Sequence, residues 1–451
     1  MTRKTRLAIL TAFAVAFTVS VPLVVMKTAG YRYNWKKGRA EKTGIIKFVT
    51  EPKGADIRLN GQLQPRRTPM SVFRLLPEDY EIRLSLSGYH EWSKTLEVKS
   101  GITTFTEDVV MIRNSSPIPV RETDWSNGAW NPDGSAVAFL RPNRGAEELV
   151  VMEPPYDRET LLARLSPDRL RETALSWSPD GKRLMIQGDR KDGGARREAT
   201  VHNVFQADTE PVTITGQEGT VARWSSDGRS VTVIDGGTVT VTDLNGGMPK
   251  PIPGTAGVQD ALLASGRLLS IKTVDGHNEL LEMSPNGSLP PKALTALPTG
   301  SWNLSVANGD FVFLADQRTG QGMAFRLSDG RLSGPWNGVT GVWNKTGNQE
   351  RFLTWNDFEI SIWDPETDTL STIARISSPI RQCLWDPTGR NVIFSAGNSI
   401  FAAEIDGRDR RNTYELNRMT AVGPMAVVPK DRQIVFLGSA GQQQALYRQG
   451  F

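Results

Sequence analysis

Enzyme and metal chemistry commonly draws on imidazole, thiolate or converging carboxylates, and this 451-residue chain contains three histidines and one cysteine. His90, His202 and His277 lie far apart, without the short spacings that bring two ligands to one metal ion. Each is expected to be an ordinary strand or loop residue. Cys383 stands beside Trp385 with no second thiol to pair with, and reads as a small apolar side chain of a buried strand. Acyl transfer through a serine would call for a Gly-x-Ser-x-Gly elbow, which the sequence lacks. The acid-rich run Asp364-Pro-Glu-Thr-Asp368 lacks the alternating acids, glycine and distant glutamate of a calcium loop, and is expected to form a turn. No catalytic residue, metal ligand or cofactor is therefore expected, and the sequence singles out no binding residue.

What recurs instead is a turn. Trp130-Asn-Pro-Asp-Gly134, Trp177-Ser-Pro-Asp-Gly181 and Trp224-Ser-Ser-Asp-Gly228 space their tryptophans 47 residues apart, with looser copies at Trp343-Asn-Lys-Thr-Gly347 and Trp385-Asp-Pro-Thr-Gly389. Proline presets φ early in such a turn, aspartate accepts nearby backbone N–H groups, and glycine takes positive φ without strain. In the second unit, residues 173–177 and 182–187 read as strands bracketing the turn, with further strands at 202–207 and 212–215. Weaker units place strands at 268–271, 311–314 and 434–437. Equivalent positions near 130, 177, 224, 262, 305, 343, 385 and 427 give eight units of 38 to 47 residues, seven being the fallback count.

Four antiparallel strands in each such period make a β-propeller. The last unit runs out after three strands at Phe451, and a strand at 118–121 is expected to complete it. The recurring tryptophans are expected to pack between neighbouring blades. The charged run 189–198 is expected to be a solvated loop whose alternating charge offers an edge to a partner.

Residues 7–26 carry no charge and follow Arg3, Lys4 and Arg6. At ~1.5 Å per residue, twenty residues span ~30 Å of bilayer core. The run exceeds the apolar region of a cleaved signal peptide, so a single-pass signal anchor is expected. Tyr31, Tyr33 and Trp35 suit the lipid interface beyond it. Lys and Arg flank both ends, so their balance does not orient the span; its position near residue 1 favours an extracytoplasmic body. The formal net charge of +4 divides unevenly: residues 1–43 carry nine Lys/Arg and one Glu, which leaves the rest at −4. An acidic body argues against nucleic acid as a partner.

Residues 44–112 form a separate β unit, with strands expected at 45–49, 56–59, 80–86, 92–98 and 105–111. Glu51-Pro52-Lys-Gly54-Ala55, Asn60-Gly61, Thr68-Pro69, Leu76-Pro77 and Gly88-Tyr89 follow one another in the order of the PEGA domain, which this segment resembles. The signature is altered to Glu-Pro-Lys-Gly-Ala, and Glu78-Asp79 replace the glycine expected after Pro77, which puts one hairpin in question. The resemblance implies a small non-catalytic β-sandwich of envelope proteins. Residues 113–451 are similar, in their Trp-Ser-Pro-Asp-Gly units, to the TolB-type propellers of bacterial envelopes, which implies the propeller fold and an envelope setting.

The expectation is thus an all-β chain of three parts: anchor and basic stem (1–43), PEGA-like sandwich (44–112) and propeller with a short leading linker (113–451). Its expected function is binding or scaffolding in the cell envelope, with envelope proteins or a cell-wall glycan as partners and no catalysis. Two other classes remain open. One is a hydrolase or lyase with carboxylates meeting in the propeller channel; the other is a small-molecule sensor with a deep apolar pocket.

Overall fold

A long apolar stretch satisfies its own backbone only as a helix when water is excluded, and Arg3–Thr28 is a single α-helix. It is the one helix, among the described residues, long and apolar enough to cross a membrane. The computed structural model describes residues 3–156, 158–166, 170–190, 196–206, 209–246, 249–346 and 349–451, with backbone alone at 107–108, 171–172, 339–346 and 349. Two compact units result: Met1–Asn114 with Glu404–Tyr414, and Ser115–Ala403 with Glu415–Phe451.

In the first unit the helix leads into a hairpin of Tyr31–Asn34 with Arg39–Lys42. The Gly30 carbonyl then accepts both the backbone N–H and the hydroxyl of Thr43, each at 2.8 Å. Two sheets follow. One orders its strands Gln62–Leu63, Asp56–Leu59, Asp79–Ser85 and Trp92–Glu97; the other orders Met70–Leu75, Gly44–Glu51 and Thr103–Val110. Period-two alternation buries one side of Gly44–Glu51, Asp56–Leu59, Asp79–Ser85 and Trp92–Glu97, so that Ile46, Phe48, Ile57, Ile82, Leu84 and Trp92 share a core. Met70–Leu75 and Gln62–Leu63 escaped the sequence reading because neither is a clean alternating run. Glu78-Asp79 prove to lie not in a hairpin but at the crossing from Met70–Leu75 of one sheet to Asp79–Ser85 of the other, and Asp79 pairs with Glu97. The signature residues meet at Thr68, whose hydroxyl accepts the N–H groups of Gly54 and Ala55 and bonds the Thr50 hydroxyl at 2.6 Å.

Segment 404–414 belongs to the same unit through a charged cluster. The fully buried Lys94 ammonium pairs with Glu404 at 2.7 Å and Asp406 at 3.2 Å. The Trp92 indole donates to Glu404 at 2.7 Å. Buried charge is tolerated where each group is paired and hydrogen-bonded. Burial pushes the Asp406 carboxyl up, but bonds from Arg408 and the Lys94 charge outweigh it and hold the group at about 2.

Beyond residue 115 there are, among the described residues, eight four-stranded antiparallel sheets in chain order: residues 127–165, 170–217, 221–251, 258–296, 302–337, 339–375, 380–418 and a composite eighth. They are the blades of a propeller. In the eighth, Ile118–Glu122 pairs with Gln443–Gly450, completing the sheet begun by Ala421–Val428 and Gln433–Ala440. Blade packs on blade around the ring, and Val435, Leu437 and Leu446 of the eighth close it against Val137, Phe139 and Val150 of the first.

The repeated turn works as one module. In Ser178–Arg183 the Ser178 N–H donates to the Arg183 carbonyl at 2.9 Å, its hydroxyl bonds Asp180 at 2.6 Å, and Gly181, at φ +69°, donates to the Ser178 carbonyl at 2.9 Å. The Ser225 turn repeats these bonds, with Gly228 at φ +69°. Only glycine reaches that φ freely, and a Cβ on Gly228 would also come within 2.8 Å of Asp180 in the neighbouring blade. The third strand of the second blade is Arg196–Asn203, not 202–207. The expected charged loop is thereby corrected at its ends, where Asp189 pairs with Arg197 and Gly188 with Glu198. Charged residues tolerate an exposed hairpin end, so pairing runs past the apolar stretch. Residues 191–195 and 207, the Trp343 side chain and Gly347 lie outside what is described.

The tryptophans do pack between blades, as expected. Trp177 donates its indole N–H to the Ala129 carbonyl of the preceding blade at 3.0 Å, and Trp224 reaches the Ser176 hydroxyl at 3.1 Å. Across the closure, Trp130 donates to the Pro424 carbonyl at 3.0 Å. Burying a tryptophan removes ~150–250 Å² from water, or ~4–6 kcal/mol at ~25 cal/mol/Å². The hydrogen bond adds ~1 kcal/mol. Apolar contact therefore holds the blades together, and the bond fixes their angle. Trp177→Phe and Trp130→Phe should each lower stability by about 1 kcal/mol, and Trp177→Ala by about 3–5 kcal/mol. Denaturant titration would check this; equal losses for W177F and W177A would contradict it.

A second prediction concerns Asp406. Its depressed folded pKa, against ~3.9 unfolded, gives stability that is present above about pH 4 and lost as pH falls towards 2. After discounting for solvent screening, Asp406→Asn should lose about 1 kcal/mol at pH 7. Wild type and variant should converge near pH 2, measured by melting across that range.

Candidate functional site

Each blade is a meander, so its first-to-second and third-to-fourth turns lie on one face of the ring. Its second-to-third hairpin and the link to the next blade lie on the other. On this second face a cleft of about 860 Å³ opens across the fifth, sixth and seventh blades. Loops on a rigid scaffold are where binding groups usually sit.

Four backbone features build the cleft. In the fifth-blade hairpin, buried Asp316 accepts the N–H groups of Ser301 at 2.8 Å and Arg318 at 3.2 Å and the Thr319 hydroxyl at 2.6 Å. Burial alone would raise its carboxyl, and these donors hold it below the ordinary value. The fifth-to-sixth link follows at Asn337-Gly338, where the Gly338 N–H donates to the Gly320 carbonyl at 3.1 Å. Gly338 sits at φ +119°, and a Cβ there would lie 2.7 Å from the Trp355 carbonyl, so the close approach requires glycine. In the sixth-blade hairpin the Asn356 side-chain oxygen accepts the N–H groups of Phe358 and Glu359 at 2.9 and 2.8 Å. This Asx turn leaves the Phe358 ring 50% exposed at the rim. Finally, Ile376 and Ile380 of the next link donate to the carbonyls of Phe358 and Asp357 at 2.9 and 2.7 Å.

The lining combines the Trp355 and Phe358 rings, the Asn337 and Asn356 amides, and a charged pair. Arg375 donates to Glu359 at 2.7 Å and, with Thr372, holds its carboxyl below the usual range. Such a surface can stack on an apolar ligand face while hydrogen-bonding its edges. None of these residues was singled out in sequence; the available signal was a Trp-Asn-Asp-Phe hairpin that places an aromatic ring at a solvent-facing turn.

The residues that were considered for chemistry are dispersed. His90 packs on Tyr414 in the first unit, with ring centroids 5.0 Å apart. His202 is buried beside Thr200 in the second blade, and His277 is exposed at the start of a strand in the fourth. Asp364 accepts the Glu366 and Thr367 N–H groups, while Asp368 accepts Trp363 and Arg331, so the acid-rich run is a turn. No cluster of three metal-ligating side chains occurs among the described residues. A smaller cavity of about 560 Å³ is lined by residues of blades two to five, among them Gln187, Arg223, Asn303 and Gln317. Arg223 there meets Asp260 at 3.0 Å, and Asp260 also accepts the N–H groups of Leu304 at 2.6 Å and Ala261 at 3.0 Å. Burial pushes the Asp260 carboxyl up against the pull of Arg223. The carboxylate thus ties three consecutive blades together.

Residues 43–109 match the PEGA domain family. No curated protein matches the chain in sequence. Solved structures similar to it include the dihydro-heme d1 dehydrogenase NirN in complex with DHE, at 15% identity over 74% of this chain and 82% of that one, TM-score 0.47. A eukaryotic initiation factor is similar at 14% identity over 80% and 90%, TM-score 0.49. The β-propeller domain of the trilobed protease from Pyrococcus furiosus is similar at 14% identity over 75% and 87%, TM-score 0.35.

Cys383 lies fully buried opposite Phe394 in the seventh blade, and burial pushes its thiol well above the ordinary value. Reactivity needs an accessible thiolate. Ellman's reagent at pH 8 should therefore leave the native thiol untouched and modify it at the unfolding rate once denaturant is added. Rapid labelling of the native protein would contradict this placement.

Proposed function

We propose that the chain is a membrane-tethered, extracytoplasmic binding or scaffold protein of the bacterial envelope, whose TolB-type propeller engages its partner without catalysis. The observation that carries this reading is the cleft across the fifth to seventh blades, with an exposed aromatic rim at Phe358 on an otherwise well-packed ring. A rigid ring presents such loops with little ordering on binding, which favours recognition. The Arg3–Thr28 helix, read as an uncleaved anchor, holds the chain at the membrane. The basic stem, with Tyr31, Tyr33 and Trp35 exposed, suits the headgroup layer. Partners are envelope proteins or a cell-wall glycan.

A photo-crosslinking residue at Phe358 of the full chain, compared with one at exposed Leu289 on the fourth blade, tests this in intact cells. Capture of an envelope protein or glycan from position 358 and not from 289 is expected. Equal capture from both positions would remove the cleft as the binding site. Capture of cytoplasmic proteins alone would overturn the export assignment.

A further inference from the structure

We infer that the PEGA unit carries a binding site for an anionic phospholipid headgroup of the membrane that holds its anchor, an inference that rests on the anchor reading above. Three observations converge on the strand Met70–Leu75.

The first is position. Twenty uncharged residues end at Met26, so the Lys27 carbonyl lies at the end of ~30 Å of apolar helix, where headgroups begin. The Arg74 guanidinium donates to that carbonyl at 3.1 Å, and Arg32 donates to the Arg74 carbonyl at 3.4 Å. The bonds between Gly30 and Thr43 return the chain at once to the start of the sandwich. The Arg74 end of Met70–Leu75 therefore stands at headgroup depth.

The second is presentation. Pairing with Gly44–Glu51 shifts register between Gly44 and Ile46, and opposite this bulge Arg74 takes φ +63°. A bulge re-aims side chains, and here Phe73 projects outward, 63% exposed. Large exposed aromatics beside a membrane-spanning end serve as interfacial wedges.

The third is chemistry. Beside Phe73 a cavity of about 530 Å³ is lined, among the described residues, by Lys47, Arg66, Ser71, Pro65 and Pro69. Lys47 and Ser71 are register partners across the two strands. The loop bearing Pro65 and Arg66 is fixed by Thr68, which receives the Gly54 and Ala55 N–H groups. Two cations and a hydroxyl around a preformed hollow suit a phosphodiester, and the Phe73 ring suits the glycerol and upper acyl chain.

The full chain in nanodiscs provides the test. Photoactivatable phosphatidylglycerol or phosphatidylcholine would be included at low fraction, and labelled peptides mapped by mass spectrometry. Phosphatidylglycerol should label both the helix and residues 62–75. In a Lys47→Glu/Arg66→Glu variant, labelling of 62–75 should fall roughly thirtyfold, by the attraction of two basic residues for an anionic surface, while helix labelling persists. Circular dichroism would verify that the variant is folded. Labelled helix with unlabelled 62–75 would overturn this inference and leave the anchor intact. Equal labelling of 62–75 by both lipids would also overturn headgroup recognition. Absence of the helix from the mature chain, or its failure to label, would remove the anchor reading and this inference with it.

Discussion

The bond from the Trp130, Trp177 and Trp224 indoles to the inner strand of the preceding blade is the constraint on which the first three blades and the closure depend. A four-stranded sheet has two faces to cover and no other partner but its neighbours. Apolar packing alone would let one blade rotate on the next, and a small error repeated around a closed ring prevents closure. Trp177 on Ala129 and Trp224 on Ser176 set that angle with a directional contact, and Trp130 on Pro424 applies the same contact where first meets last. Arginines add a second tie at the turns: Arg183 donates to the Gly228 carbonyl at 3.2 Å, and Arg351 to the Gly389 carbonyl at 3.2 Å. The turn motif and the tryptophan before it thus join a local bend to a contact between blades.

Much of this was legible because the signals were local and repeated. The Asp-Gly turns, the tryptophan spacing and the PEGA signature depend on residues close in sequence, and the completing strand near residue 118 followed from the last unit's missing fourth strand. Strand ends were less legible: Arg196–Asn203 begins in charged residues, where hairpin pairing and solvation outweigh the apolar pattern. The cleft was not legible. Its residues come from four loops of three blades, and what makes it a cleft is the Gly338 backbone lying against the Trp355 carbonyl, a contact between positions with no sequence pattern linking them. Lys94 was equally silent, since its partners Glu404 and Asp406 lie some three hundred residues away.

The two units place their buried charge differently. Asp260 joins inner strands within the ring, and burial raises its carboxyl. Asp406, surrounded by Arg408 and Lys94, is lowered instead. In both places removing one partner would strand the other in a medium that solvates it poorly, so each network is preserved as a set.

The composite eighth blade has a consequence for how the chain is made. Its outer strand comes from the N-terminal side and its other three from the far end, with Ser115 donating to the Gly450 carbonyl across 335 residues. Synthesis proceeds from the N-terminus, so Ile118–Glu122 emerges as an open edge and waits for its partner strand Gln443–Gly450. An unpaired edge invites foreign strands, and closing so long a loop is slow. Throughout that interval the nascent chain is a partly assembled ring with one adhesive margin.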